Sequence, residues 1–216
     1  MFFPYKDDNP RVLFPYVTYT LIVMNVVVFL TFTYYSFFID NTGWFSTFGF
    51  VPNSFNMISI ISSMFIHGGL GHILSNMWFL YIFGDNVESI LGHIKFLVFY
   101  FLCGFGAALA QYITDPSSSI PMVGASGAIA GVLGAYMISF PRAKVHVFAF
   151  IIIFVTTLVV PAQLILGLWF LIQLSSGLNS LGIDTNGGVA WFAHIGGFIV
   201  GIGAIRYIQN YKPGSL

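Results

Sequence analysis

Long apolar runs, each closed by a short polar break, set the pattern of this chain. Runs of spanning length begin near Phe14, Leu70, Phe96, Met122, Val145 and Val189. A helix needs roughly 20 apolar residues to cross a bilayer, so each run is a candidate span. The first extends to about Phe38. The segment from Ile39 to Gly68 holds Trp44, several Phe and Pro52, which suits a stretch lying at the membrane interface. The second run ends near Gly84-Asp85-Asn86, and the third, Phe96 to Ile113, is closed by the polar turn Thr114 to Ser119. The fourth stops at Pro141 and Arg142, because proline cannot continue a helix. Val145 to Leu174 is apolar almost throughout, with His146, Thr156, Thr157, Gln163 and Gln173 as its polar members. By pattern alone it is either two short spans or one span with an interfacial lead-in.

Charge decides between the two. The seven basic residues are Lys6, Arg11, Lys95, Arg142, Lys144, Arg206 and Lys212. If Lys6 and Arg11 are cytoplasmic, so are Lys95, Arg142 and Lys144, while 39–68, 114–121 and 176–188 carry no Lys or Arg. Arg206 and Lys212 join them only if the fifth region crosses once. The positive-inside rule then predicts six spans with both termini cytoplasmic. Ile151 to Val160, β-branched and followed by Pro161, reads as the lead-in, and the crossing as about Val159 to Gln173. The domain division is a short cytoplasmic segment 1–13, one membrane domain 14–208 and a cytoplasmic tail 209–216.

Composition agrees. The chain is 57% hydrophobic and 6% charged, with mean hydropathy +0.89; soluble domains carry about a quarter charged residues. The formal net charge is zero and basic residues do not cluster, so the lipid bilayer is a partner and nucleic acid is not. Cys103 is the single cysteine; it forms no internal disulfide and reads as a small core residue. The short polar start does not read as a signal peptide.

Against this background a few polar groups stand out, because ionisable residues within a membrane are costly and functional by default. Gly124-Ala125-Ser126-Gly127-Ala128-Ile129-Ala130-Gly131-Val132-Leu133-Gly134 puts one hydroxyl among small and aliphatic residues. Glycines four apart let a second helix approach backbone to backbone. On the second span, His72 and Asn76 share a helix face. On the sixth, His194 precedes Gly197 and Gly201. Depth is a test these groups pass. Ser126 lies fifteen residues before Pro141, His194 twelve before Arg206 and His72 thirteen before Asp85, or roughly 22, 18 and 20 Å at the helical rise. Asn76 is about one turn deeper. Ser126, His194 and His72 thus fall at nearly one level in the outer half of a core about 30 Å thick.

A serine hydroxyl with a base within reach performs acyl transfer. His194 can take the proton and return it to the leaving amine, while His72, Asn76 and the Ser126 N–H can stabilise the oxyanion. No acidic third member is evident; Asp184, on the loop before span six, is the weak candidate. Gly-Ala-Ser-Gly is not the nucleophile elbow of the α/β-hydrolases. His67, His72 and His194 share their level with no carboxylate or thiolate, so no metal is expected, and no cofactor. Asp85 and Glu88 read as a cap or as a tie to Lys95, His93 and His146 as solvated, and Asn25 as an interhelical hydrogen bond.

Four motifs in order, His67-Gly-Gly-Leu-Gly-His72-Ile-Leu-Ser-Asn76, Phe83-Gly84-Asp85-Asn86-Val87-Glu88, Gly124-Ala125-Ser126-Gly127 and Ala193-His194-Ile195-Gly196-Gly197, give the chain a specific resemblance. It resembles the rhomboid intramembrane serine proteases over nearly its whole length. The resemblance implies an all-α six-helix membrane bundle around a water-filled pocket open to the outside. It implies Ser126 as nucleophile, His194 as base and His72 with Asn76 at the oxyanion, with His67, Gly124, Gly197 and Trp191 as pocket or structural residues. Substrates would be transmembrane proteins, and the setting a bacterial cytoplasmic membrane. Sideways access between spans two and five, past Met77, Phe79, Trp169 and Phe170, also leans on the resemblance. Two positions depart from it. Where some members carry a Tyr stacked on the histidine, this chain has Ala130, leaving Trp191 or a fifth-span aromatic to hold the ring. Where some carry Trp-Arg in the first outer loop, this chain has Trp44-Phe45. The alternative reading is a catalytically silent relative that binds or escorts membrane proteins. A transporter would call for inverted repeats with paired broken helices, which the chain lacks.

Overall fold

The computed structural model describes residues 2–39, 43–151, 154–181 and 188–210; Asp184 and Lys212 lie outside them. Among the described residues six helices of 14 or more residues form the bundle: α1 (Tyr16–Ile39), α4 (Leu70–Leu91), α5 (His93–Thr114), α6 (Ser126–Ser139), α7 (Ala162–Ser180) and α8 (Trp191–Asn210). Two short helices, α2 (Trp44–Phe48) and α3 (Met57–Ser63), occupy the segment between α1 and α4. Tyr16–Phe37, His93–Thr114, Ala162–Ser180 and Trp191–Ile208 are long and apolar enough to cross a membrane. Helix α4 matches them in length but carries His72, Asn76, Asp85, Asn86 and Glu88, and α6 has only 14 residues. The membrane part is therefore an all-helical bundle with apolar groups such as Leu30, Leu164 and Leu171 facing outward.

Helix α6 is its axis. Every residue from Gly127 to Tyr136 is buried, so the helix is apolar on all sides because it is packed on all sides. Its glycines decide how closely. A Cβ on Gly197 of α8 would sink into the carbonyl oxygen of Gly127, and one on Gly201 into that of Gly131. A Cβ on Gly134 would lie 2.5 Å from the Phe198 oxygen. Helix α5 closes on the same pair, with Ala107 against Gly127 of α6 and Gly106 set against Val200 of α8. Apolar burial drives little between helices in lipid, so this close approach supplies the packing.

Away from Ser126, a sheet completes the fold. Strands β1 (Phe2–Asp7), β2 (Lys144–Ile151) and β3 (Phe154–Pro161) are antiparallel in the order β1-β2-β3. Phe2 pairs with Ala149 and Lys144 with Pro161, with an irregularity between Pro4 and Lys6. Val145, Val147 and Ala149 are buried while Lys144, His146 and Phe148 are more open. This two-residue alternation is a strand signature. It replaces the expected lead-in over Ile151 to Val160, and the fifth long helix starts after Pro161 and runs to Ser180 rather than Gln173.

Polar ties fasten the N-terminal segment to the bundle. The Glu88 carboxylate, fully buried, accepts from the N–H groups of Val17 (2.9 Å) and Thr18 (2.8 Å) and from the Thr18 hydroxyl (2.7 Å). It thereby caps the positive end of α1. Arg11 Nε donates to Asp85 at 2.9 Å, and Trp78 Nε1 to the Pro4 oxygen at 2.8 Å. The Asp7 carboxylate accepts from the Tyr136 hydroxyl of α6 and from Asn86 Nδ2 of α4. Several expectations are corrected here. Glu88 caps α1 and meets His93 Nδ1 at 2.6 Å, so His93 is not simply solvated. His146 Nε2 lies 2.9 Å from Asp8. Asn25 Nδ2 donates to Leu21 of its own helix at 2.8 Å instead of across helices.

Two outcomes follow from this packing. Gly201→Val places a branched side chain against the Gly131 carbonyl, and overpacking of this kind typically costs about 1–3 kcal/mol or more. The detergent-solubilised variant should melt several degrees lower than wild type; an unchanged midpoint would deny the close approach of α6 and α8. Burial, with the nearby Asp85 and Asp8 charges, pushes the Asp7 carboxyl up to about 6 from 3.8, against the lowering effect of the Tyr136 hydrogen bond. The folded state thus favours the protonated acid. That stabilisation is complete below pH 3.8 and is lost as pH rises through about 6. Thermal midpoints should fall between pH 4 and pH 7, and Asp7→Asn should flatten that part of the decline.

Candidate active site

Ser126 is the first residue of α6, and the turn before it is built for close approach. Gly124 adopts φ +114°, a conformation that L side chains rarely adopt, and donates its N–H to the Ser63 oxygen at 2.8 Å. A Cβ there would lie 2.6 Å from His72 Nε2, so the glycine is what lets the imidazole stand over the start of α6. The first N–H groups of a helix have no carbonyl partner within it and form a positive pole. Ser126 sits at that pole.

His194 enters from the first turn of α8, and its Nε2 lies 2.8 Å from Ser126 Oγ. The Gly197–Gly127 contact lies three residues beyond His194 and one beyond Ser126. The close-packed glycines thus set the distance between the two polar groups. His194 Nδ1 lies 2.7 Å from Oε1 of Gln173 on α7, a residue that is itself buried. The Trp169 ring lies 5.9 Å from the imidazole at 34°, and Trp191 meets it edge-on at 6.3 Å. Both tryptophans hold the ring where Ala130, also buried, offers none.

His72 projects from the first turn of α4. Its Nδ1 accepts the Gly68 N–H at 3.3 Å, which leaves the proton of a neutral ring on Nε2. Asn76, one turn on, donates one amide N–H to the His72 carbonyl at 2.8 Å, and its Oδ1 is buried without a partner. An amide has two N–H groups, so one remains. His67 is buried next to His72, edge-on at 5.1 Å. Ser126, His194, His72, Asn76 and Gly124 all line one cavity of about 680 Å³. It is large enough for water and a short stretch of peptide.

Sequence reading assigned no role to Gln173 and left the ring-holding aromatic open. The available signal was an amide in an apolar run, four residues after a tryptophan and so on its face of the helix. Of the four side chains expected to face lipid between spans two and five, Met77 is instead buried in the core and Phe170 stacks on Phe198 at 4.5 Å. Phe79 and Trp169 are half-buried.

Comparison with known proteins places this geometry in a family. The family model described as "Rhomboid domain" matches residues 54–210. The chain is 31% identical over 150 residues to the mitochondrial Rhomboid protein 1 of Saccharomyces cerevisiae, covering 67% of this chain and 40% of that protein. It is 29% identical over 157 residues to the rhomboid protease GluP of Bacillus subtilis, covering 72% of this chain and 27% of that one. It is 35% identical over 78 residues to the putative rhomboid protease YdcA of the same organism, covering 36% and 39%. The matched part thus spans two fifths or less of the length of each of these relatives. With the family model covering well over half of its residues, this multi-pass membrane chain belongs to the rhomboid family.

Proposed function

We propose that this chain is an intramembrane serine endopeptidase that cleaves transmembrane segments of other membrane proteins. The observation that carries the reading is the 2.8 Å contact between Ser126 Oγ and His194 Nε2 inside a polar cavity. A silent escort protein has no use for a serine aligned on an imidazole, and the pair favours the enzyme. Both termini lie in the cytoplasm, the chain crosses six times, and the cavity opens to the opposite side of a bacterial cytoplasmic membrane. The asymmetry of the basic residues supports this orientation.

The chemistry follows from the donors and acceptors. His194 Nε2 takes the Ser126 proton as Oγ bonds to the carbonyl carbon. The oxyanion is met by His72 Nε2–H, the free N–H of Asn76 and the Ser126 backbone N–H at the positive pole of α6. His194 passes its proton to the leaving amine. Water, activated by the same imidazole, then releases the acyl group from Ser126.

A substrate helix at this depth has its carbonyls locked in hydrogen bonds, so it must unwind before attack. Unpaired backbone groups in lipid cost several kcal/mol each. The cavity offsets this with water and polar side chains. Substrates are single-pass segments weakened by Gly or Pro in the outer part of the span, with a small residue at the cut, admitted between α4 and α7.

Cleavage of such a substrate in proteoliposomes tests the whole reading. Wild type should cut the Gly/Pro-containing segment and not the same segment with those residues replaced by Leu. Ser126→Ala and His194→Ala should each lower turnover by roughly 10³-fold or more while melting normally. Asn76→Ala and His72→Ala should lower kcat by about 10²–10³ with little change in KM. Near-wild-type cleavage by Ser126→Ala would end the mechanism, and equal cleavage of the Leu segment would end the account of substrate choice.

A further inference from the structure

We propose that Gln173 is a positioning residue that holds the His194 proton on Nδ1, so that Nε2 faces Ser126 as a bare acceptor. The inference rests on the endopeptidase reading and adds a third member to the serine–histidine pair. A neutral imidazole carries one proton on either nitrogen, and the tautomer is set by what the other nitrogen meets. Only the Nδ1–H form can take a proton from Ser126. The Nε2–H form points a donor at the hydroxyl and cannot act as its base.

The amide oxygen of Gln173 lies 2.7 Å from Nδ1, and Gln173 is 6% exposed. A buried carbonyl oxygen without a donor is costly in a low-dielectric interior, so the contact and the tautomer stabilise each other. The opposite amide orientation would set N–H donors against Nδ1 and force the proton onto Nε2. Trp169, one turn earlier on the same face of α7, lies against the imidazole ring at 5.9 Å. One helix thus holds the ring at its face and at its far edge. Helix α7 otherwise packs mainly on α8, through Phe170 on Phe198 and Gly177 against Trp191 and Ile195, which fixes the height of Gln173 relative to His194.

An amide also suits the location. A carboxylate would orient the ring equally well, but an ionised group within the membrane is expensive. A neutral acceptor fixes the tautomer without that cost. The consequence, among the described residues, is a base oriented by a neutral acceptor and an aromatic ring, with no carboxylate hydrogen-bonded to its far nitrogen.

Three forms of the full chain in detergent test this: wild type, Gln173→Met, which keeps the length but cannot accept, and Gln173→Glu, which can. Specific ¹⁵N labelling of histidine reads the tautomer directly, with His194 assigned by its loss in His194→Ala. Wild type should show a protonated Nδ1 and a bare Nε2, and Gln173→Met should shift towards the Nε2–H form or a mixture. Cleavage by Gln173→Met should fall about 10- to 100-fold in kcat with KM within about twofold, as for loss of an orienting partner. Gln173→Glu should recover most of that loss. A wild-type His194 protonated on Nε2 overturns the proposal. So does a Gln173→Met form with the wild-type tautomer, whether it keeps its activity or loses it together with thermal stability. If wild type cleaves nothing, the endopeptidase reading fails, while the ¹⁵N pattern still decides what Gln173 does.

Discussion

The contact of α6 with α8, glycine against carbonyl, is the constraint on which the rest depends. Gly127 and Gly131 receive Gly197 and Gly201 with no room for a methyl group. A hydrogen bond between side chains on two helices tolerates only a few tenths of an ångström of error. Short side chains such as Ser126 cannot bridge the usual 8–10 Å between helix axes without help from a longer partner. Gly-mediated packing shortens that gap at the level of Ser126 and His194. Helix α5 presses on both, with Ala107 against Gly127, Cys103 against Gly131 and Ala110 against Gly196, so the distance is supported from a third side.

Both imidazoles in the cavity are oriented from behind. Gly68 donates to His72 Nδ1, leaving a donor on Nε2, and in the proposed tautomer Gln173 accepts at His194 Nδ1, leaving an acceptor on Nε2. In the proposed mechanism two identical side chains are thereby prepared for opposite tasks by the group each meets on its far nitrogen. The far end of the bundle performs a separate service. Glu88 caps α1, Asp85 holds Arg11, and Asp7 joins Tyr136 of α6 to Asn86 of α4. The helices bearing Ser126 and His72 are therefore tied together some 15 Å from the cavity, at about ten residues of helical rise.

Much of this was legible in the residues. Runs of spanning length announced α1, α4, α5 and α8, because burial in lipid demands continuous apolar sequence. That Ser126, His194 and His72 could meet, as they do at one cavity, was countable from the polar breaks that close their helices, because helical rise is constant. What stayed hidden depends on partners distant in sequence. Gln173 meets His194 across 21 residues, and no spacing rule links them. Strand β1 is a short, partly polar segment whose partner lies some 140 residues on. The alternation of Val145, Val147 and Ala149 was present, but a run of apolar residues before a span reads equally as an interfacial lead-in. Met77 looked lipid-facing because helix direction alone does not say which face meets a neighbour; the structure turns it to the core.

The central claim is that His194 makes Ser126 nucleophilic, and a fluorophosphonate probe measures that without a substrate. Detergent-solubilised wild type should form one covalent adduct, located by peptide mass spectrometry at Ser126. Ser126→Ala should form none, and His194→Ala should label at a rate lower by roughly 10³-fold or more. An adduct on another residue, or labelling of Ser126 at the wild-type rate in His194→Ala, would contradict the account.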